Sequence, residues 1–454
     1  MSIPNIFKAY DVRGVYPDEL NEEMVEKIAR AFVFLRKDEL KKNGLKVVVG
    51  RDMRLSSPSL RNAVIRGLTD QGADVIDVGL VSAPTFYFAI CRLKADGGLM
   101  VSASHNPKEY NGIKITRENA KPLGAGNGME EIKQMTEAGG FSEPEKKGEV
   151  ELREGVLDEQ VKYEEQGIDL KQIRKFKIVA DPANAMGAQY LEALFKDLPQ
   201  LELFKMNFEL DGTFPAHQAD PFQDKNVADL KKKVLAEKAD LGIATDGDGD
   251  RIFFIDNEGE LLEPAILRGI MAKIFLREFP GATICYDIRP GKITEDMILE
   301  NGGVPSVTRV GHSLIKKQML EVGAVFGGES SGHFFVKFPH GVYEAPMLVV
   351  LKLLLELTET DKNLADYARP LRKYFHSGEI NFKVEDKAGV LARVSEKYSD
   401  AELNELDGLT FTYPNYWFNV RLSNTESLVR LNLEATSKEL MEEKTKEVSG
   451  IINL

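Results

Sequence analysis

The 454-residue chain has only two cysteines, Cys91 and Cys285, each in an apolar stretch. That excludes a disulfide framework and a cysteine-based metal site, and both thiols read as small packed hydrophobes. Long apolar runs are missing too. Met1–Lys8 contains no apolar core of signal-peptide length, and the most hydrophobic stretch, Ala345–Leu355, is short and broken by Lys352. Such a run suits a buried helix rather than a membrane span, and the chain reads as cytoplasmic. Positive charge is in deficit, with 59 Lys and Arg against 72 Asp and Glu and a formal net charge of −13. This balance argues against a nucleic-acid binder and against a partner of anionic membranes, although a few local cations would suffice for an anionic small molecule. There is no Walker motif and no dinucleotide fingerprint, so a phosphoryl group handled here need not come from a nucleotide.

What is present is an ordinary globular composition, 43% hydrophobic and 29% charged, with length for about three domains. Helical periodicity over Met24–Arg36 leads into an apolar run, Lys46–Gly50, that stops at Arg51-Asp52. A loop with Ser56, Ser57 and Pro58 follows, then a helix over Ser59–Gln71 and a strand over Ala73–Val78. Strand, loop and helix alternating in this way predict a parallel or mixed sheet with helices on its faces. The unit recurs at Lys177–Asp181, followed by a helix over Gln189–Phe195, and at Ala282–Asp287, followed by Arg-Pro-Gly and a helix from Thr294. Each of these strands ends in an acid, a repeat of architecture rather than of sequence. Glu137–Glu151, rich in Gly, Glu and Lys, reads as a linker, and further breaks follow Arg251–Asn257 and lie near Asp361–Lys373. The C-terminal part changes pattern, with a strand at Glu379–Val384, a helix over Ala388–Lys397 and strands at Leu409–Tyr413, Tyr416–Leu422 and Leu428–Glu434 before a last helix. Consecutive strands without crossover helices predict an antiparallel sheet in a smaller α+β domain.

Four loops carry candidate chemistry. In Gly97–Ile115, an apolar strand runs into Ser-Ala-Ser104-His105-Asn-Pro with Lys114 beyond, an unobstructed hydroxyl beside an imidazole and a lysine. A turn that only reverses the chain would have the same residues. In Thr245–Arg251, Asp246, Asp248 and Asp250 alternate with glycines. Three converging carboxylates need a cation, and the glycines let the backbone curl to bring them together. An EF-hand would require Gly after the third acid and Glu at its twelfth position, where this chain has Arg251 and Asn257. Few protein oxygens in a compact loop suit Mg²⁺. Gly327–His333 presents Glu329 and Ser331, suited to vicinal hydroxyls, with His333 able to shuttle a proton. His312, before a helix, reads equally as a cap or core residue. Finally, Arg421, Ser423, Asn424, Thr425 and Arg430 bracket a turn between strands, an arrangement of cations and backbone N–H groups that suits a phosphate.

Taken in order along the chain, Ser-Ala-Ser104-His-Asn-Pro, Asp246-Gly-Asp-Gly-Asp-Arg251, Gly328-Glu-Ser-Ser-Gly-His333 and Arg421-Leu-Ser-Asn-Thr-Glu426 resemble the motifs of the α-D-phosphohexomutases, in their bacterial phosphomannomutase/phosphoglucomutase branch. The resemblance implies four domains around a central cleft: three related α/β domains with mixed sheets and a smaller α+β domain with an antiparallel sheet. The boundaries expected are 1–147, 148–253, 254–366 and 367–454. It implies that Ser104 is carried as a phosphoserine sharing Mg²⁺ with Asp246, Asp248 and Asp250, and that it phosphorylates a hexose 1-phosphate at O6. A hexose 1,6-bisphosphate, also the activator, then reorients and returns its other phosphate. By position Arg13, His105, Lys114 and Arg251 match cations around the phosphoserine and metal, and either Lys114 or His333 is the proton shuttle. Glu329 and Ser331 match the pair that reads sugar O3 and O4. Arg421, Ser423, Asn424 and Thr425 match the clamp on the non-reacting phosphate, and Arg289, His312, His333 and Arg430 join the substrate set.

The resemblance implies a phosphomannomutase with accompanying phosphoglucomutase activity, acting on small hexose phosphates as a monomer or homodimer. Two features depart from related enzymes: Ser330 stands where Met or Gln is frequent, and Arg289 where some have Lys. Phosphoglucosamine mutase is the alternative within the family, with Ser-Gly-Thr rather than Ser-Asn-Thr in the phosphate loop. Outside it stand a Mg²⁺-dependent sugar phosphatase and a non-catalytic sugar-phosphate binding protein.

Overall fold

Successive side chains of a strand fall on opposite faces, and in Lys46–Arg51 both faces are apolar. In the computed structural model, Val47 and Val49 join a core with helices Glu22–Leu40, Ser57–Thr69 and Met129–Ala138. Val48 instead joins a second core with helix Ala83–Arg92. Strand Gly97–Val101 divides the same way, Leu99 and Val101 to the first core and Met100 to the second. A strand buried on both faces is the signature of a parallel, helix-covered sheet, and Lys46–Arg51 pairs in parallel with both neighbours.

The structure describes residues 5–142, 144–289, 291–422 and 428–453. The chain forms two units, Met1–Leu262 with Ser331–Ala365 and Glu263–Ser330 with Asp366–Leu454. In the first unit, one mixed sheet has the order Val12–Val15, Tyr110–Arg117, Gly97–Val101, Lys46–Arg51, Asp74–Leu80, Val150–Leu152. A second runs Ile252–Asp256, Leu241–Thr245, Lys177–Asp181, Glu202–Lys205, its first pair antiparallel and the others parallel. This unit also holds the antiparallel pair Phe334–Phe338 and Gly341–Glu344 and the helix Pro346–Thr360. That helix contains the apolar run around Lys352 and is buried along most of its length. No helix among the described residues is long and apolar enough to cross a membrane.

In the second unit, Thr283–Asp287 lies between Val304–Thr308 and Phe326–Gly328, all parallel, with helices Pro264–Glu278, Lys292–Glu300 and His312–Val322. The C-terminal sheet is antiparallel, ordered Phe375–His376, Leu428–Ala435, Tyr416–Leu422, Leu409–Thr412, Glu402–Asn404, with Ile380–Lys383 also on Leu428–Ala435. Helices Lys387–Lys397 and Lys438–Ile452 contribute Val390, Val394, Val448 and Ile452 to its core. The buried Glu434 caps the helix Lys292–Glu300, accepting the Gly291 and Lys292 N–H groups at 3.1 and 3.2 Å and Trp417 Nε1–H at 2.9 Å. Three α/β domains and one antiparallel C-terminal domain are therefore as the sequence implies.

Local differences have simple causes. The helix read from Ser59 starts at Ser57, because Pro58 fits the first turn, where its missing N–H costs nothing. Val150–Leu152, which begins inside the stretch read as a linker and runs one residue past it, is an exposed edge strand parallel to 75–77. Phe375–His376 and Glu402–Asn404 are likewise short and exposed, and show no apolar alternation.

One buried carboxyl gives the first unit a pH dependence. Glu164, 3% exposed at the end of helix Val156–Glu164, accepts Gln160 Nε2–H at 2.7 Å and the Leu348 N–H at 3.1 Å. Burial raises its pKa from 4.5 to about 7. The folded state therefore keeps a proton that the unfolded chain releases, and stability falls as pH rises between those values. Glu164→Gln removes that decline. Urea unfolding at about pH 5 and about pH 7.5 is expected to move in the variant's favour, relative to parent, by up to about 3 kcal/mol; parallel pH profiles would contradict it.

Candidate active site

Two hairpin connections of the first unit meet. Strands Gly97–Val101 and Tyr110–Arg117 pair antiparallel and are joined by the loop carrying Ser104. Strands Leu241–Thr245 and Ile252–Asp256 pair with Thr245 opposite Ile252, which makes Asp246–Arg251 the connecting loop. Ser104 Oγ donates to Asp246 Oδ2 at 2.7 Å, and Ser102 Oγ donates to Asp248 Oδ2 at 3.1 Å. Ser102 Oγ also accepts the Ser104 N–H at 3.0 Å. The approach needs glycine in the facing loop: a Cβ on Gly247 would lie 2.2 Å from the Ser104 carbonyl oxygen. The sequence predicts an unobstructed hydroxyl. Ser104 is instead 2% exposed, because the aspartate loop packs directly on it.

Asp246, Asp248 and Asp250 are almost fully buried, and their ligand oxygens lie within 4.8 Å of one another. At about 4 Å two such charges repel by roughly 4 kcal/mol even at an effective dielectric constant of about 20. Burial, then Asp250 and Asp248, raises the Asp246 carboxyl to about 7. Burial also opposes ionisation of Asp250, but Lys114 and His333 outweigh it and hold that carboxyl well below the usual range. Lys114 Nζ donates to Asp248 Oδ2 at 2.7 Å and to Asp250 Oδ2. Desolvation is overcome there by the two aspartates, so the ammonium keeps its proton. Asp248 Oδ1 remains buried without a hydrogen-bond partner. An orphaned oxygen within a trio of hard donors fits a divalent cation.

Other cations surround the trio. Arg13 pairs with Asp11 at 2.7 Å, and its Nη1 donates to Asn106 Oδ1. Arg251 donates its N–H to Asp246 Oδ1 at 3.2 Å. His105 Nδ1 is 3.2 Å from Ser104 Oγ. Desolvation, Arg251 and Arg13 lower the His105 pKa well below the usual imidazole value, which leaves the ring neutral. His333 Nε2 lies 3.2 Å from Asp250 Oδ1 and 3.4 Å from Arg251 Nε, and its Nδ1 is 3.0 Å from Ser331 Oγ. Arg13, Ser104, His105, Lys114, the three aspartates, Arg251, Ser331 and His333 thus all belong to the first unit.

Arg289, His312, Glu329, Arg421 and Arg430 belong to the second. Glu329, 2% exposed, accepts the Gly311 N–H at 2.9 Å, and Arg289 Nη2 is 3.9 Å from it. Arg289 Nε donates to Asp287 Oδ2 at 2.6 Å. Ser330 donates Oγ–H to Asp287 Oδ1 at 3.0 Å and accepts Arg268 Nη1–H at 3.1 Å. His312 opens the helix His312–Val322. Arg421 and Arg430 both pair with Glu379, at 2.5 and 3.3 Å. Ser423, Asn424 and Thr425 lie outside the described residues.

Sequence reasoning missed Glu379, Asp11 and Gln218, whose Nε2 donates to the His105 carbonyl at 2.8 Å. None stands in a motif; Gln218 and Glu379 reach their partners from far along the chain, whereas Asp11 pairs with Arg13 two residues on.

If the aspartate trio holds a divalent cation, the folded state is stabilised by mass action. A Mg²⁺ titration followed by thermal denaturation is expected to raise the transition, with about 2.7 kcal/mol gained at a hundredfold excess over Kd. Asp248→Asn should abolish most of that response, and an unchanged response would rule the trio out.

Comparison with known proteins places the chain among enzymes. Residues 4–143, 158–259 and 264–374 match the phosphoglucomutase/phosphomannomutase alpha/beta/alpha domains I, II and III, and residues 379–450 match the C-terminal domain of the same family. A phosphomannomutase of Methanocaldococcus jannaschii is 37% identical over 449 residues, 98% of this chain and 97% of that protein. Phosphohexose mutases of Xanthomonas campestris are 36% identical over 460 residues, all of both chains. Among solved structures, a phosphoglucomutase/phosphomannomutase family protein of Burkholderia thailandensis superposes with a TM-score of 0.87 at 31% identity, covering 98% of this chain and 96% of that one.

Proposed function

Because the chain belongs to the phosphoglucomutase/phosphomannomutase family, we propose that it interconverts mannose 1-phosphate and mannose 6-phosphate, and glucose 1-phosphate and glucose 6-phosphate alongside. The observation that carries the reading is the Ser104 hydroxyl, hydrogen-bonded to Asp246 at the edge of the buried aspartate trio. Ser104 is the phosphoryl carrier. In the first half-reaction the phosphoserine phosphorus bonds to O6 of a hexose 1-phosphate while its bond to Oγ breaks, and the O6 proton passes to a base. In the second half-reaction, Oγ takes the phosphoryl group from O1 of the resulting 1,6-bisphosphate, and a proton returns to that oxygen. Mg²⁺, held by Asp246, Asp248 and Asp250 with Ser104, would neutralise charge on the transferring group, where most catalysis of phosphoryl transfer arises.

The other residues take roles that follow from their surroundings. Arg13, Arg251 and Lys114 supply positive charge around Oγ. Lys114 lies between two aspartates and His333 against Asp250, and one of these two, deprotonated, accepts the O6 proton. The neutral His105 stands within hydrogen-bond reach of Oγ. Glu329 and Ser331 read sugar hydroxyls, and Arg289, His312, Arg421, Ser423, Asn424, Thr425 and Arg430 bind the rest of the substrate. The burial of Ser104 supports transfer over hydrolysis, since a mutase must keep water from its phosphoserine. The same reading takes the enzyme as cytoplasmic, a monomer or homodimer, activated by hexose 1,6-bisphosphate, with domains divided after residues 147, 253 and 366.

Two measurements test it. Ser104→Ala is expected to lower mutase turnover by more than about a thousandfold with thermal stability unchanged; near-normal turnover would overturn the assignment. With Mg²⁺ and trace bisphosphate, kcat/KM should be comparable for mannose and glucose 1-phosphates and at least about tenfold lower for glucosamine 1-phosphate, a difference of about 1.4 kcal/mol in transition-state binding. A preference for the amino sugar would make the enzyme a phosphoglucosamine mutase, and steady release of inorganic phosphate would make it a phosphatase.

A further inference from the structure

Arg54 lies between strand Lys46–Arg51 and helix Ser57–Thr69 and is 1% exposed. Burying a guanidinium costs several kcal/mol unless every donor is answered. Here four carbonyls of one segment answer the two terminal nitrogens, while Nε has only the ion-pair contact with Asp52. Nη1 donates to the carbonyls of Pro107 at 2.7 Å and Tyr110 at 3.0 Å, and Nη2 to those of Ser104 at 2.8 Å and Asn106 at 2.6 Å. Asp52 Oδ2 lies 3.2 Å from Nε, and the guanidinium stacks 5.0 Å from the Phe214 ring centre. Asp52 is itself fixed, accepting Ser57 Oγ–H at 2.5 Å and the Arg54 N–H at 3.0 Å.

Four carbonyl dipoles converging on one point repel one another unless a cation sits there. The loop that converges is the Ser104 loop, and Ser104 has φ +50°. For a residue with a Cβ that conformation costs roughly 1–2 kcal/mol and persists only where the surroundings over-determine it. Ser102 Oγ holds the Ser104 N–H, and Arg54 holds its carbonyl. We infer that Arg54 is the positioning residue that folds the Ser104 loop into its strained shape and so aims Oγ at the aspartate trio. The inference rests on Ser104 being the phosphoryl carrier. Lysine cannot substitute, because a single ammonium lacks the planar fork that reaches two pairs of carbonyls at once.

The test uses the full-length Arg54→Lys protein, with hydrogen exchange of peptides spanning residues 102–112 measured beside steady-state kinetics. Exchange in that segment is expected to quicken about tenfold while the rest of the first unit keeps its protection. Turnover is expected to fall about 30- to 100-fold with KM within about threefold, the pattern of a misplaced reacting group. Unchanged exchange at 102–112, loosening spread evenly over the unit, or turnover within twofold of parent would each overturn the inference. Should Arg54→Lys not fold, Asp52→Asn decides, since it keeps its shape and removes only the anion behind the guanidinium. The same local loosening with a several-fold loss of turnover supports the clamp, and parent-like exchange and turnover overturn it. Exchange reads the loop whatever Ser104 does chemically, so an active Ser104→Ala protein would sink the carrier assignment while leaving the clamp measurable.

Discussion

The first unit is built around a charge problem. Three aspartates within one short loop are buried almost completely, beside a serine and a lysine that are equally hidden. Without compensation their repulsion would rival the whole stability of a typical domain. Lys114 answers part of it through Asp248 and Asp250, and Asp246 answers another part by holding a proton up to about neutral pH. Much of the local fold follows from this. Gly247 lets the loop approach the Ser104 backbone. The Asp248 carbonyl accepts the Ala83 N–H at 2.9 Å, and the Gly247 carbonyl accepts the Met186 N–H at 3.2 Å. Helix starts on both neighbouring sheets are thereby tied to the acidic loop. These contacts hold the donors in place by the protein's own hydrogen bonds, which is what electrostatic preorganisation requires.

The three strand-ending acids of the internal repeat show how one architectural position is put to use. Asp52, Asp181 and Asp287 are all buried, and each pins the loops around it through different partners. Asp52 holds Arg54 and Ser57. Asp181 accepts Asn207 Nδ2–H at 3.0 Å and lies 3.1 Å from His217 Nε2, next to the Gln218 that touches the His105 carbonyl. Asp287 holds Arg268, Arg289 and Ser330. Asp52 thus supports the Ser104 loop one remove away, through Arg54, and Asp287 holds the loop of Ser330 directly. Ser330 fits the same logic: its hydroxyl is spent on Asp287 and Arg268, a supporting contact.

How much of this could be read from the chain depends on whether the signal was local. Val47–Val49 and Leu99–Val101 declare a strand buried on both sides, and the Asp-Gly alternation declares a cation loop, because in each case neighbouring residues act together. The edge strands at Val150–Leu152 and Glu402–Asn404 were not legible, since a strand with no buried face carries no apolar alternation. Burial of Ser104 was invisible for a different reason. It comes from a loop more than a hundred residues further along the chain, and small residues around a hydroxyl look the same whether the space above them is open or filled. Arg54 and Glu379 belong to that second class, charged residues in unremarkable surroundings whose partners arrive only with the fold.

Glu379 extends the argument to the second unit. Burial opposes its ionisation, but Arg421, Arg430 and Arg289 overcome that and hold its carboxyl below the usual range. Three guanidinium groups around one carboxylate form a site already neutralised from within, as Lys114 neutralises part of the aspartate trio in the first unit. A ligand of the same sign as the internal partner, bound at either place, would meet groups that are desolvated and oriented beforehand. Its binding is an exchange of counter-ions rather than the burial of bare charge, so the protein avoids the desolvation cost that usually consumes the Coulombic gain of a buried pair. The affinity left over is a difference between two similar interactions, modest by construction. Under the function proposed above, that modesty lets a sugar phosphate leave as readily as it enters, because a clamp that bound phosphate with its full electrostatic strength would hold the product as firmly as the substrate.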